Sequence, residues 1–140
     1  MGDTRAQSDS IEKFERTGTR PIGSNLTIAD AIKFHNAIGS KRKMDRLSYL
    51  KNYWLNRVKD VKGVLVNTPQ DMSKSCAIAN IGIKGITSDL LADTLYQKYR
   101  IFTVAIDHGP VHGVRITPHL YTSIGDLDTL VKAIQEMAAS

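Results

Sequence analysis

The chain has 140 residues, of which 41% are hydrophobic and 24% charged, with a formal net charge of +5. That is the size and make-up of about one globular domain, and it excludes wholesale disorder, collagen-like repeats and an extended coiled coil. One cysteine excludes an intrachain disulfide framework and any multi-cysteine zinc site, and no apolar run approaches the ~20 residues of a membrane span.

Residues 1–10 are polar, carry no apolar period and lack the apolar core of a secretory signal, so they read as a flexible tail. The expected compartment is the cytoplasm, and residues 11–140 are expected to form a single domain. Ile11 and Phe14 make a short amphipathic piece over 11–17. Two glycines, Pro21, Ser24 and Asn25 mark a loop over 18–25. Thr27, with Asp30 three residues on, predicts a helix start. That helix runs to Ile38 and stops at Gly39, a C′ glycine. A second helix starts near Ser40 and ends near Asp60, with Leu47, Leu50, Trp54 and Val58 on one stripe.

The texture then changes. Val64–Val66 predicts a short strand closed by Asn67, Thr68 and Pro69, and residues 75–83 predict a second, with Cys76 inside it. Ser88 predicts the cap of a helix whose face carries Leu91, Leu95 and Tyr99. Ile101–Ile106 reads as a strand, Asp107-His108-Gly109-Pro110 as a turn, and Val111–Thr117 as a strand stopped by Pro118. Ser123 and Asp126 make a second capping-box pattern before a helix carrying Leu127, Leu130, Val131, Ile134 and Met137. The fold class is therefore α+β: two N-terminal helices, then a mostly antiparallel β-β-α-β-β-α layer with helices on one face.

Charge is uneven. Residues 1–60 hold 12 Lys/Arg against 7 Asp/Glu, and residues 61–140 hold 7 against 7. The densest run is Lys41, Arg42, Lys43 and Arg46. Few aromatics interleave with it, so a solvated helix end is expected rather than a nucleic-acid surface. No phosphate-binding glycine loop, metalloprotease or hydrolase motif is present. His108 and His112 are four apart, but Gly109, Pro110 and Gly113 exclude a helix there, so no metal site is expected. Cys76, in an apolar run, reads as buried and inert. Residue chemistry alone goes no further than an α+β domain.

Two segments together carry a resemblance. One is Phe14-Glu15-Arg16-Thr17-Gly18-Thr19-Arg20-Pro21, followed by residues 31–39 and by Arg46-Leu47 with Tyr49, Leu50, Tyr53 and Trp54. The other is Gly113-Val114-Arg115-Ile116-Thr117-Pro118-His119-Leu120-Tyr121-Thr122 before an amphipathic helix. Their order and spacing resemble the C-terminal small domain of class V, fold-type I enzymes that use pyridoxal phosphate. The isopenicillin N epimerase-like and aminotransferase-like members, relatives of cysteine desulfurases, are the nearest subgroup. The resemblance runs from about Ile11 to Ala138.

The resemblance implies a parent homodimer acting on an amino acid. Its large domain would hold the cofactor and the lysine that forms a Schiff base with it. None of the eleven lysines here lies in a Ser-x-His-Lys-type context. The chain alone is therefore expected to be inactive and to bind the cofactor weakly or not at all, with the large domain as its missing partner. Arg115 matches the family arginine that binds the substrate carboxylate, a role suited to a planar, bidentate guanidinium. Thr19 matches the family threonine that touches the cofactor phosphate of the partner subunit. The interval 106–113 holds no cysteine where desulfurases carry their nucleophile, so an aminotransferase, epimerase or lyase parent fits better. The first two helices, with Trp54, are candidates for an apolar docking surface. Two other readings stay open: a free-standing, non-catalytic binding or regulatory domain derived from the family, and nucleic-acid binding through residues 41–46. Neither nucleic acid nor membrane is the expected partner.

Overall fold

The computed structural model describes residues 22–71 and 73–139. The chain separates into two compact units, one ending at Ile38 and one spanning Gly39–Ser140. The tail, the 11–17 piece, Thr19 and Arg20 lie outside the described residues.

In the first unit, α1 spans Ile22–Ile38. It already includes residues 22–26, ahead of the start that Thr27 predicts. Thr27 Oγ1 donates to Ser24 O at 2.9 Å, so its hydroxyl folds back onto the preceding turn instead of capping. No residue of α1 is buried, and Ile22, Leu26, Ile32 and Phe34 are exposed.

The second unit runs α2 (Ser40–Val58), β1 (Val64–Val66), β2 (Ala79–Ile83), α3 (Ser88–Tyr99), β3 (Val104–His108), β4 (Val111–Ile116) and α4 (Ile124–Ala139). With α1, this is the predicted order of an α+β fold. The four strands form one antiparallel sheet in the order β1-β2-β4-β3. Gly39, at φ +86°, turns the chain before α2, a conformation glycine adopts without cost.

The core lies between one face of the sheet and α2, α3 and α4. Leu50, Trp54 and Val58 from α2 meet Ala79, Ile81 and Ile83 from β2, Val114 and Ile116 from β4, Leu91 and Leu95 from α3, and Leu130 and Ile134 from α4. Trp54 is fully buried and belongs to this core, so it cannot be part of a docking surface.

Local chemistry moved several boundaries. The second strand begins at Ala79, not residue 75. The preceding residues spend their polar groups locally: Asp71 Oδ1 accepts from Ser73 N and Oγ at 2.8 Å, and Ser75 Oγ donates to Asp71 O at 3.1 Å. Cys76 is therefore in a loop and exposed, not buried in a strand. Thr87, not Ser88, is the N-cap of α3, accepting from Leu90 N at 3.3 Å. The end of α3 closes with Arg100 in the left-handed region (φ 60°) and with Ile101 N donating to Leu95 O at 3.0 Å. That left-handed closing turn uses the Ile101 N–H, and β3 starts at Val104 and takes in Asp107 and His108. Gly109 and Pro110 alone make the hairpin loop, and β4 ends at Ile116. The Ser123–Asp126 box forms as predicted: Asp126 N donates to Ser123 Oγ at 3.1 Å and Ser123 N to Asp126 Oδ2 at 2.9 Å.

Candidate functional site

Residues opposite one another in an antiparallel ladder point to the same face, and neighbours along a strand alternate. Ile81, Val114 and Ala105 face the helices, so Asn80, Arg115 and Val104 form one cross-strand row on the outer face. Asn67 continues that row, because its N–H donates to Asn80 O at 3.0 Å and extends the β1–β2 ladder by one step. Beside it, Leu65 faces Gly82 between β1 and β2, and Ile106 faces Gly113 between β3 and β4. The outer face thus carries a polar stripe of Asn67, Asn80 and Arg115 beside these apolar pairs.

The sequence-predicted Arg115 sits mid-sheet in this stripe. Its side chain is exposed and makes no hydrogen bond or ion pair with another described residue. Strands β2 and β3 flank it in register, at Asn80 and Val104. This mounting fixes the backbone and leaves the guanidinium free to take a planar anion. Asn67 Nδ2 donates to Asn80 Oδ1 at 2.7 Å and to His112 O at 2.9 Å, reaching across β2. Thr68 Oγ1 accepts from Asn80 N at 2.8 Å. Sequence reading missed Asn67 and Asn80. It took Asn67 only as a strand-closing residue, and the register that sets it beside Asn80 is a long-range property.

The other candidates do not gather here. His108 belongs to the outer face and His112 to the inner, so the pair diverges. His112 Nδ1 lies 2.8 Å from Asp107 Oδ1, and Ser88 Oγ donates to the same oxygen at 2.8 Å. The two bonds hold the Asp107 carboxyl below the usual carboxylate range, that with His112 contributing most. Asp107 stands between serine and histidine, so the imidazole cannot take the hydroxyl proton, and this cluster is not a nucleophilic triad. His119 packs on Tyr121 with ring centroids 4.2 Å apart. No group of three or more His, Cys, Asp or Glu side chains that could hold a metal exists among the described residues. In the basic run, Lys41 pairs with Asp45 at 2.7 Å, and Arg46 donates to the carbonyls of Leu120 and Thr122, tying α2 to the loop before α4.

The arginine on its strand, the loop after it and the capped last helix sit in the order the resemblance requires. The aminotransferase class-V family model matches residues 1–123. The chain belongs to that family. It is 25% identical over 134 residues to an isopenicillin N epimerase of Amycolatopsis lactamdurans, covering 94% of this chain and 33% of that protein. Its fold matches an apo cysteine desulfurase from Thermococcus onnurineus NA1 with a TM-score of 0.79 at 20% identity, covering 94% of this chain and 34% of that one. The chain therefore spans about a third of the length of each of these two proteins.

The family implies pyridoxal phosphate in a full-length enzyme. Among the described residues, no lysine lies on the outer face beside Arg115. These residues fit a carboxylate and not the cofactor's aldehyde. Thr19, the expected phosphate contact, lies outside the described residues.

Proposed function

We propose that this chain is the C-terminal, substrate-carboxylate-binding domain of a class-V pyridoxal-phosphate enzyme that acts on an amino acid. The observation that carries this reading is Arg115, an exposed guanidinium on a central strand with no partner among the described residues, in a chain of the class-V family. A guanidinium presents parallel N–H donors to both oxygens of a carboxylate and so fixes the substrate's orientation as well as its charge. The cofactor, where bound, supplies an electron sink for bonds at the amino acid's α-carbon. In this reading the Schiff-base lysine belongs to a large domain outside this chain, and the chain alone is inactive. The parent is an aminotransferase or an epimerase-like enzyme working in the cytoplasm as a homodimer, with Thr19 at the cofactor phosphate of the partner subunit. Residues 11–140 act as one domain in it.

Titration of the isotope-labelled chain with sodium propionate tests the role of Arg115. The expected result is a saturable shift of the Arg115 Nε–H resonance, lost in Arg115→Gln and weakened in Arg115→Lys because the fork is gone. A resonance that does not move would remove Arg115 from the site.

A further inference from the structure

Arg100 closes α3 in the left-handed region, at φ 60° and ψ 31°, and is the one non-glycine residue at positive φ among the described residues. Glycine takes that conformation without cost. A side chain held there is strained, and strain of this kind collects at sites that use it. The dipole of α3 does not require this arginine, because Lys98 already places a cation in the last turn. Its guanidinium makes no hydrogen bond or ion pair with another described residue. Arg100 lines a pocket of about 440 Å³ formed by the end of α3, the loop after β4 and the start of α4.

The acid in that pocket is Asp126, in the first turn of α4. Its Oδ2 accepts from Ser123 N at 2.9 Å and from Ser123 Oγ at 2.8 Å, and its Oδ1 has no partner among the described residues. Arg100 and Asp126 thus share one pocket without pairing with each other. Both side chains are exposed, so a solute can reach them. Ile101, Pro118 and Leu127 give the pocket an apolar lining. A guanidinium offers only donors and a carboxylate only acceptors. A ligand that satisfies both carries an anion and a cationic donor on one small body, and the lining suits an apolar remainder.

We propose that this pocket binds a free amino acid with an aliphatic side chain, its carboxylate on Arg100 and its ammonium on Asp126 Oδ1. Both groups stand on hydrogen-bonded helix ends: Arg100 N donates to Tyr96 O at 3.1 Å, and the Ser123–Asp126 box opens α4. Arg115 does not line this pocket, so the inference goes beyond the Arg115 reading and stands without it.

The experiment titrates the 140-residue chain with free leucine and follows the Arg100 Nε–H and Leu127 methyl resonances. Isocaproate, which lacks the ammonium, and isoamylamine, which lacks the carboxylate, are the controls. Leucine should shift both signals along one saturable curve, isocaproate with roughly 3- to 10-fold weaker affinity, and isoamylamine should leave Arg100 still. This comparison tests Asp126 without disturbing the capping box. Arg100→Gly removes the charge and the strained conformation together. It should weaken leucine binding at the Leu127 methyls roughly 10- to 100-fold while raising the urea midpoint. An arginine that only closes α3 would give the second change without the first, and that result would overturn the inference. So would an Arg100 signal that leucine does not move, or equal affinity for leucine and isocaproate.

Discussion

Gly113 lies against the carbonyl of Ile81: a β-carbon built on Gly113 would stand 2.1 Å from Ile81 O. Its φ of +152° also lies in the region that side chains avoid. The close approach holds β4 to β2 two residues from Arg115 and so fixes the row in which Arg115 and Asn80 meet. Gly113→Ala should destabilise the protein by roughly 2–3 kcal/mol, read as a fall in the urea midpoint. Gly109, at φ +56° with open space around it, is the control. Gly109→Ala should cost about 1 kcal/mol. Equal costs at the two positions would show that the Ile81 contact is unimportant.

The hairpin β3–β4 makes stability depend on acid. Asp107 is held below its ordinary range by its hydrogen bonds with His112 and Ser88. A carboxyl depressed in the folded state contributes stability above its unfolded value, about 3.9. That contribution is lost as pH falls through the lower folded value. The urea midpoints of wild type and Asp107→Asn should therefore converge below about pH 4. A difference that stays constant from neutral pH into strong acid would contradict the assignment.

Much of this fold was legible because side-chain period and local caps agreed with it. The Leu50–Trp54–Val58 stripe buried as its spacing requires, and Ser123 with Asp126 closed the last helix start. Boundaries failed where a side chain had two uses. Thr27 bonded backward, Ser88 went to Asp107 while Thr87 took the cap, and Ser75 joined a turn instead of a strand. Arg115 was legible only through family resemblance. Asn67 and Asn80 were not legible at all, because 13 positions separate them and only the β1–β2 register makes them neighbours.

Cys76 is the sharpest reversal. A thiol in an apolar strand would resist modification, but this one is exposed in the loop before β2. The thiol of the native protein should react with a disulfide reagent without denaturant, releasing close to one equivalent of the reagent's thiolate. Reaction only after unfolding would restore the buried reading.

Trp54 distinguishes core from docking surface. It is fully buried, and its indole N–H has no hydrogen-bond partner. Trp54→Ala should cost about 3–5 kcal/mol. Trp54→Phe should cost much less, because no hydrogen bond is lost. A near-neutral Trp54→Ala would place this side chain outside the core.

The central claim is that this chain supplies the carboxylate pole of a class-V active site and not the cofactor's lysine. The direct test is to incubate the chain with pyridoxal phosphate, reduce with borohydride and map adducts by mass spectrometry. Sparse labelling scattered over several lysines, or none, is the expected result. Stoichiometric labelling of a single lysine would mean that the chain holds a complete cofactor site of its own and would contradict the account.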